Sequence, residues 1–392
     1  MKVKFTTLDI ASYGGLMMFA ISGIITPICL PEISKTLSTT LAEGGGIETA
    51  RNLLIFAAIF LAGISALTWG QKRFITLGQY LLAVGLLMAS FSHSYYTLII
   101  SLMIAGIGGG FTEALINPLI VNIHPNDSGK YLNITHAFYP IGVMVSALLF
   151  GELLTRGYSW RVMFRIAAAG ALVTGIFFNS LRFPPKTGSE HSAWKLITVI
   201  LGLSGFWFFA AAIFFGAGAE SAFTFWSRSY VEIYFKDVPR AGAIAVVVFA
   251  GTMVAGRFLA AKLSENISLK IIMIFSALLG VGVSIVIPFI SSLVWFYIFL
   301  GLAGIASGCF WPSILAEASN CLKINPTILF VLLSCIGIVG FGLTPWIMGI
   351  IGDYTNLRTG FFVIPAFFTI LVFLFTMEWH MSKKKLLDKK TD

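Results

Sequence analysis

The chain has 392 residues, of which 57% are hydrophobic and only 11% are charged, and its formal net charge is +9. A soluble domain usually carries about 25% charged residues, so this composition excludes a sizeable soluble domain. The positive charge does not indicate nucleic-acid binding, because basic residues gather in the loops on one side of membrane proteins.

Apolar stretches of about twenty residues follow one another along the chain with short polar breaks. A bilayer core needs about 20 helical residues to cross, and its backbone polar groups must pair within the protein. We therefore predict an all-α membrane protein. Spans 1 to 6 are predicted at 10–33, 51–69, 75–93, 96–123, 132–154 and 162–182, and spans 8 to 12 at 241–261, 269–291, 293–320, 327–350 and 360–380. Residues 196–235 are too short for two crossings plus a loop, so we expect one long span 7, which makes twelve spans.

Basic residues set the expected topology. With twelve spans, seventeen Lys and Arg residues fall on the side of the termini and seven on the opposite side, Arg51 among them. The positive-inside rule then predicts that both termini are cytoplasmic, in a multi-pass protein of the inner (plasma) membrane.

Motifs of enzyme chemistry are absent from the sequence. The four cysteines (Cys29, Cys309, Cys321 and Cys335) lie in or beside apolar spans without metal-ligand spacing. No nucleotide-binding loop, serine-nucleophile motif or zinc-binding helix motif occurs. The sequence therefore predicts neither an enzyme nor a metal or cofactor site.

The two halves of the chain resemble each other at an offset of about half its length. Span 4 reads Ala105-Gly-Ile-Gly-Gly-Gly-Phe111 and span 10 reads Ala303-Gly-Ile-Ala-Ser-Gly-Cys-Phe310, and a proline follows each. Such repeats are typical of transporters whose site lies at mid-membrane between two halves. We predict an N-terminal six-helix bundle (1–182), a cytoplasmic linker (183–195) and a C-terminal six-helix bundle with a basic tail (196–392).

Two neighbouring spans carry distinctive polar motifs: span 4 reads Gly108-Gly-Gly-Phe-Thr-Glu113-Ala-Leu-Ile-Asn117-Pro118, and span 5 reads Leu132-Asn133-Ile-Thr-His136-Ala-Phe-Tyr-Pro-Ile-Gly142. These motifs resemble the major facilitator superfamily and, within it, the fucose permease-like sugar–proton symporters. The resemblance implies the major facilitator fold of two pseudo-symmetric six-helix bundles. The aspartate that this family carries in span 1 is absent, since the chain reads Thr26-Pro27-Ile-Cys-Leu-Pro31 there.

Two glutamates are the candidates for proton coupling. Glu113 lies in the middle of span 4 among small residues, and Glu220 lies in span 7, the repeat partner of span 1. Ionisable groups deep in a span are costly and so tend to be functional. The structural alternative for Glu113 is a carboxyl group hydrogen-bonded to a neighbouring helix.

Further polar and aromatic residues are candidates for substrate binding. The resemblance places His136 where the family's polar side chain meets the sugar, and Tyr139, three residues further on, is expected on the same helix face. Asn117 and Asn133 are suitable hydrogen-bond partners for sugar hydroxyls, and the alternative is that they tie helices together. Arg228 either pairs with an acid, grips an anionic substrate or extends to the interface. Trp226, Phe310, Trp311 and Trp346 are candidates for stacking against a sugar ring, although aromatic belts explain many such residues without a ligand.

The predicted function is secondary active transport of a small polar solute by alternating access. The resemblance implies that the solute is a sugar and that a proton or other coupling ion is transported with it. We expect a monomer in the lipid bilayer. One alternative is a transporter of larger amphipathic or anionic compounds such as drugs or siderophores. A second alternative, of another class, is a non-transporting receptor on the same scaffold.

Overall fold

The computed structural model of the chain describes residues 5–125, 128–185, 190–324 and 326–391, which form helices joined by short connections. Within these residues, twelve helices are long and apolar enough to cross a membrane, which confirms the predicted number. Spans 1 to 6 are Thr7–Leu37, Leu41–Gly63, Gln71–Ser90, Tyr95–Ile123, Ile134–Thr155 and Trp160–Ser180. Spans 7 to 12 are Ser204–Phe235, Pro239–Leu263, Leu269–Phe289, Leu293–Leu322, Ile328–Tyr354 and Leu357–His380. Because successive spans alternate in direction, both chain ends lie on one side, here named the terminal side; the opposite side is the far side.

Polar residues just before the helices set where several spans begin. The Thr6 side chain accepts a hydrogen bond from the backbone N–H of Asp9, whose carboxylate accepts one from the Thr6 N–H. Thr40 and Glu43 form the same reciprocal pair at the start of span 2. These pairs satisfy N–H groups that have no partner inside the helix, so the spans can begin in an apolar setting.

Glycines of the internal repeat allow equivalent helix pairs to pack closely in the two halves. In span 4, a Cβ atom on Gly106 would lie 2.6 Å from the Arg51 carbonyl oxygen of span 2. In span 10, a Cβ atom on Gly304 would lie 2.5 Å from the Phe249 carbonyl oxygen of span 8. Only glycine fits such contacts, which explains why the motif recurs at equivalent places of the two bundles.

Span 7 differs from the prediction, because residues 196–235 do not form one helix. A short helix, Glu190–Leu201, ends before Gly202 and Leu203, and span 7 begins at Ser204. The backbone of Leu203 is extended, so the helical hydrogen-bond ladder is broken there. The expectation of one long helix is therefore wrong, although the number of crossings is unchanged. The division into two bundles and a linker remains our proposal.

Span 2 begins ten residues earlier than predicted, at Leu41 rather than at 51. The segment Gly44-Gly-Gly46 has the composition of a loop, but it lies in the helix, where Gly45 and Gly46 face span 11. A Cβ atom on Gly45 would collide with the backbone carbonyl of Pro345. The prediction that Arg51 lies in a loop is therefore wrong: it lies inside span 2 and is 4% exposed.

The two halves contact each other on the far side through three pairs of spans. Spans 2 and 11 meet at Gly45 and again where the Asp353 carboxylate accepts hydrogen bonds from the backbone N–H groups of Leu41 (2.8 Å) and Ala42 (2.9 Å). Spans 5 and 8 meet where Arg240 donates a backbone hydrogen bond to the Thr155 hydroxyl at 2.9 Å. Spans 1 and 7 meet through charged side chains. We name these contacts the far-side seal.

The terminal side is more open. A cavity of about 970 Å³ separates the terminal ends of spans 2, 3 and 4 from the beginning of span 11. The structure therefore represents the conformation that is closed on the far side and open towards the termini.

Candidate functional site

A small cavity lies between the two halves at mid-membrane. Its volume is about 40 Å³, enough for a few water molecules. Its walls come from spans 1, 2 and 5 of the first half and spans 7, 8 and 11 of the second: Gly23, Ile24, Pro27, Glu48, Arg51, Tyr139, Pro140, Val143, Glu220, Thr224, Phe225, Val246, Phe249, Ala250, Met253 and Phe341. The repeat predicted a site between the halves, and this central cavity occupies that place.

Span 2 contributes a buried ion pair to the wall. The Arg51 Nη2 atom donates to Glu48 Oε1 at 2.5 Å, and the Asn52 side-chain amide donates to the same oxygen at 2.6 Å. Glu48 is 1% exposed, so its charge depends on these donors. The pair is neutral overall and presents a polar surface to the cavity.

Gly23 of span 1 and Tyr139 of span 5 lie beside the Arg51 guanidinium. A Cβ atom on Gly23 would lie 3.5 Å from Arg51 Nη2 and 3.9 Å from the Tyr139 hydroxyl oxygen. Tyr139 is also within electrostatic range of Glu220 and Glu113. The phenol therefore stands among charged groups from three other spans, where it can donate or accept a hydrogen bond.

Glu220 provides the acid of the second half. It lines the central cavity, and among the described residues its carboxylate has no ion pair and no hydrogen-bond donor. Arg257 of span 8 acts electrostatically on Glu220 and also on His136 of span 5. The Nε atom of Arg257 has no hydrogen-bond partner in the part of the chain that the structure describes.

Glu113, Asn117 and His136 do not line the central cavity. Glu113 is half-buried, and one helical turn further on the Asn117 side-chain oxygen is buried without a partner among the described residues. His136 is exposed. The Asn133 side chain lies outside the described residues.

The aromatic candidates are not brought together at the cavity. Trp226 is fully buried and donates its ring N–H to the Pro345 carbonyl at 3.2 Å. Phe310 packs against Phe375 inside the second half, and Trp311 contacts Gly337. Trp346 is 41% exposed beside Gly46 at the junction of spans 2 and 11. The cavity is lined instead by three phenylalanines that the sequence did not single out: Phe225, Phe249 and Phe341.

Arg228 belongs to the far-side seal rather than to the cavity lining. It is fully buried and donates to Glu32 of span 1 at 2.5 Å. It also lies 3.5 Å from Glu232, which pairs with Lys35. Two acids and two bases thus connect spans 1 and 7, so of the three roles considered for Arg228 the structure shows pairing with an acid.

One cluster has side chains suited to a metal ion. The ligand atoms of Glu317, Cys321 and Glu378 lie within 4.8 Å of one another. The Lys270 ammonium group is 2.6 Å from Glu378 and 3.2 Å from Glu317, so these carboxylates already have a cation. The cluster is an ion-pair network that connects spans 9, 10 and 12.

Sequence reasoning missed Glu48, Arg51 and Arg257 as site residues. For the first two a signal existed: acid and base three residues apart followed by an apolar run indicate a helical ion pair. The glycines before them suggested a loop instead. Arg257 was counted among the charges of the loops on the terminal side, but its side-chain Nε atom is buried inside the protein.

The family model described as "Major Facilitator Superfamily" matches residues 11–323, most of the chain. The chain belongs to the Major Facilitator Superfamily. The family and the fold are those of transporters and not of enzymes, so the protein is a multi-pass membrane transporter.

The proteins that this chain is similar to are named for several different substrates. The chain is 27% identical over 187 residues to the riboflavin transporter RibZ of Clostridioides difficile, covering 47% of this chain and 40% of that relative. It is 27% identical over 141 residues to the L-fucose-proton symporter of Escherichia coli, covering 35% of this chain and 32% of the relative. The chain thus matches less than half the length of these curated relatives. The crystal structure of the nucleoside transporter NupG superposes with a TM-score of 0.77 at 16% identity, covering 95% of this chain and 98% of that one, which shows the fold.

Proposed function

We propose that this transporter carries a small, neutral, polyhydroxylated solute through the central cavity and that proton binding at Glu220 couples the transport. The observation that supports this proposal is an unpaired carboxylate on the wall of a cavity between two pseudo-symmetric halves. A half-buried acid within a span that forms no ion pair is costly when charged, so its protonation state and the conformation of the carrier depend on each other.

The lining of the cavity suits a sugar-like solute. Tyr139, Thr224 and the Glu48–Arg51 pair offer hydrogen-bond donors and acceptors, and Phe225, Phe249 and Phe341 offer apolar surface. Sugars and ribose-containing compounds present hydroxyl groups on one face and C–H groups on the other, which matches such a mixture. Riboflavin, L-fucose and nucleosides, named for the similar proteins, all carry several hydroxyl groups.

The Glu48–Arg51 pair is not the proton carrier in this proposal. Its charges compensate each other at 2.5 Å, so protonating Glu48 would leave the arginine charge buried and unpaired. Glu220 forms no ion pair among the described residues, so its protonation removes a charge without breaking such a pair. Glu113 is a second acid that we propose takes part in proton transfer towards the terminal side.

The same proposal includes the orientation and state of the protein. We propose that both termini are cytoplasmic, that the membrane is the inner (plasma) membrane and that the protein acts as a monomer. The terminal side of the spans would then face the cytoplasm.

Counterflow of labelled solutes in proteoliposomes tests the proposal. Purified protein is reconstituted with D-xylose, L-fucose, uridine or riboflavin inside, and uptake of the same labelled compound is followed with and without a pH gradient. We expect counterflow of at least one compound, and we expect Glu220→Gln to retain counterflow but to lose the accumulation driven by the gradient. The matched control is Glu265→Gln, which changes an exposed acid that follows span 8.

Three results would contradict the proposal. Full gradient-driven accumulation by Glu220→Gln would remove Glu220 from coupling. Loss of accumulation in Glu265→Gln as well would indicate a general effect of charge. Binding without counterflow for every compound that binds would favour a receptor.

Arg257 favours a second candidate, the transport of anionic or larger amphipathic compounds. Its Nε atom is buried without a partner in the described residues, and an anionic group of a substrate would supply one. Counterflow of an anionic compound that depends on Arg257, with none of the neutral polyols carried, would support this candidate over the first.

A further inference from the structure

A second cavity lies apart from the central one, at the terminal ends of the spans. It has a volume of about 970 Å³, near the upper end of the range for ligand-binding pockets. Its walls come from spans 2, 3, 4, 6 and 11, the segment 183–185 and the helix Glu190–Leu201. It shares no lining residue with the central cavity. We name it the terminal cleft.

The charge of the terminal cleft has one sign. Lys72 and Arg73, at the start of span 3, line it, and no acidic residue does among the described residues. Lys72 donates to the Leu181 carbonyl at 2.7 Å, so its position is held by the end of span 6. Arg73 is exposed and has neither an ion pair nor a hydrogen bond within the described part of the chain. The cleft is therefore complementary to an anionic group.

Uncharged polar groups surround the two cations. Gln71, Asn122 and Asn179 line the cleft from three different spans. Among the residues that the structure describes, these side-chain amides have no hydrogen-bond partner. Their NH2 groups and the Arg73 guanidinium together supply hydrogen-bond donors at one end of the cavity.

Most of the remaining wall is apolar, and the hydroxyl groups of Thr76 and Tyr80 in span 3 are the exceptions among the lining residues. Trp69, at the polar end, is 62% exposed, and Gly63 has open space where a side chain would stand. A small hydrophilic anion would leave this apolar surface uncovered, whereas an amphiphile would cover it.

We propose that the terminal cleft binds an anionic phospholipid from the surrounding leaflet. The phosphate group contacts Arg73 and Lys72, the amides bind the remaining headgroup oxygens, and an acyl chain lies along the apolar wall. Basic pockets between spans at this level of a membrane suit anionic headgroups. The bound lipid contacts spans 2 to 4 of the first half and span 11 of the second, so it stabilises the arrangement in which these ends stand apart.

Quenching of tryptophan fluorescence by brominated lipids tests this site on the full-length protein. Brominated phosphatidylglycerol or phosphatidylcholine is titrated into protein reconstituted in nanodiscs. The signal of Trp69 is the difference between the wild type and Trp69→Phe. We expect phosphatidylglycerol to quench this signal at a concentration about fivefold lower than phosphatidylcholine does, and Arg73→Gln to abolish that difference.

A matched control separates the cleft from the general attraction of a basic surface. Lys262→Gln removes a cation from the terminal end of span 8, outside the cleft, and should leave the lipid preference unchanged. Equal loss of preference in Lys262→Gln and Arg73→Gln would overturn the proposal, as would equal quenching by the two lipids in the wild type. Release of the quenching by a transported solute would assign the cleft to the transport path and overturn it as well.

Discussion

Opening of the far side should become easier when Asp353 is replaced by asparagine. The Asp353 carboxylate of span 11 accepts two backbone hydrogen bonds from Leu41 and Ala42, at the first turn of span 2. The free N–H groups of a helix N-terminus favour a negative charge, so this carboxylate acts as a cap supplied by the other half. Every opening of the far side must break it.

The size of the effect follows from the two bonds and their exposure. A hydrogen bond to a charged group contributes about 1.5–3 kcal/mol net. Asp353 is exposed, so solvent screening reduces its contribution. For Asp353→Asn, which removes the charge and one acceptor, we take about 1.4 kcal/mol, a factor of about 10 in the equilibrium between closed and open far side.

Alkylation of Cys29 measures this equilibrium. Cys29 is fully buried and lies one turn before Glu32, on the face of span 1 that pairs with Arg228. With the other three cysteines replaced by serine, the rate of maleimide labelling reports the population with an open far side. We expect a rate about tenfold higher in Asp353→Asn.

Asp237→Asn is the matched control for this measurement. Asp237 is exposed and accepts a hydrogen bond from the Val238 N–H, but this bond stays within its own half. Equal labelling rates in the wild type, the control and Asp353→Asn would refute the reasoning, because the cap across the halves would then contribute nothing to closure.

Three further predictions concern other residues. Glu113→Gln should abolish accumulation driven by a proton gradient but spare exchange; full accumulation in proteoliposomes would remove Glu113 from coupling. Arg51→Gln should destabilise the protein by about 3–5 kcal/mol, since it leaves Glu48 charged and buried, and adding Glu48→Gln should restore much of the loss; thermal unfolding in detergent measures both. Gly304→Ala should lower the unfolding temperature because its Cβ atom would meet the Phe249 carbonyl, whereas Gly282→Ala, in open space, should not; equal temperatures would contradict the packing argument.

The sequence by itself determined that this protein lies in a lipid bilayer and how many times the chain crosses it. Hydropathy over about twenty residues is a local property, and the length of a span depends only on the thickness of the bilayer. The glycine repeat was also readable, since Gly106 and Gly304 fall at equivalent positions of two matching halves. The same symmetry predicted a site between the halves, and Glu220 in span 7 lies on the wall of the central cavity.

Only the tertiary structure decided which polar groups face that cavity and which hold the halves together. The partner of Arg228 is Glu32, 196 residues away in the chain, and no local pattern encodes such a pairing. Likewise Trp226 turns into the second half and Phe341 into the cavity, because the rotation of each helix is set by its neighbours. A sequence window carries apolarity and spacing, whereas the direction of a side chain depends on contacts between helices that are distant along the chain.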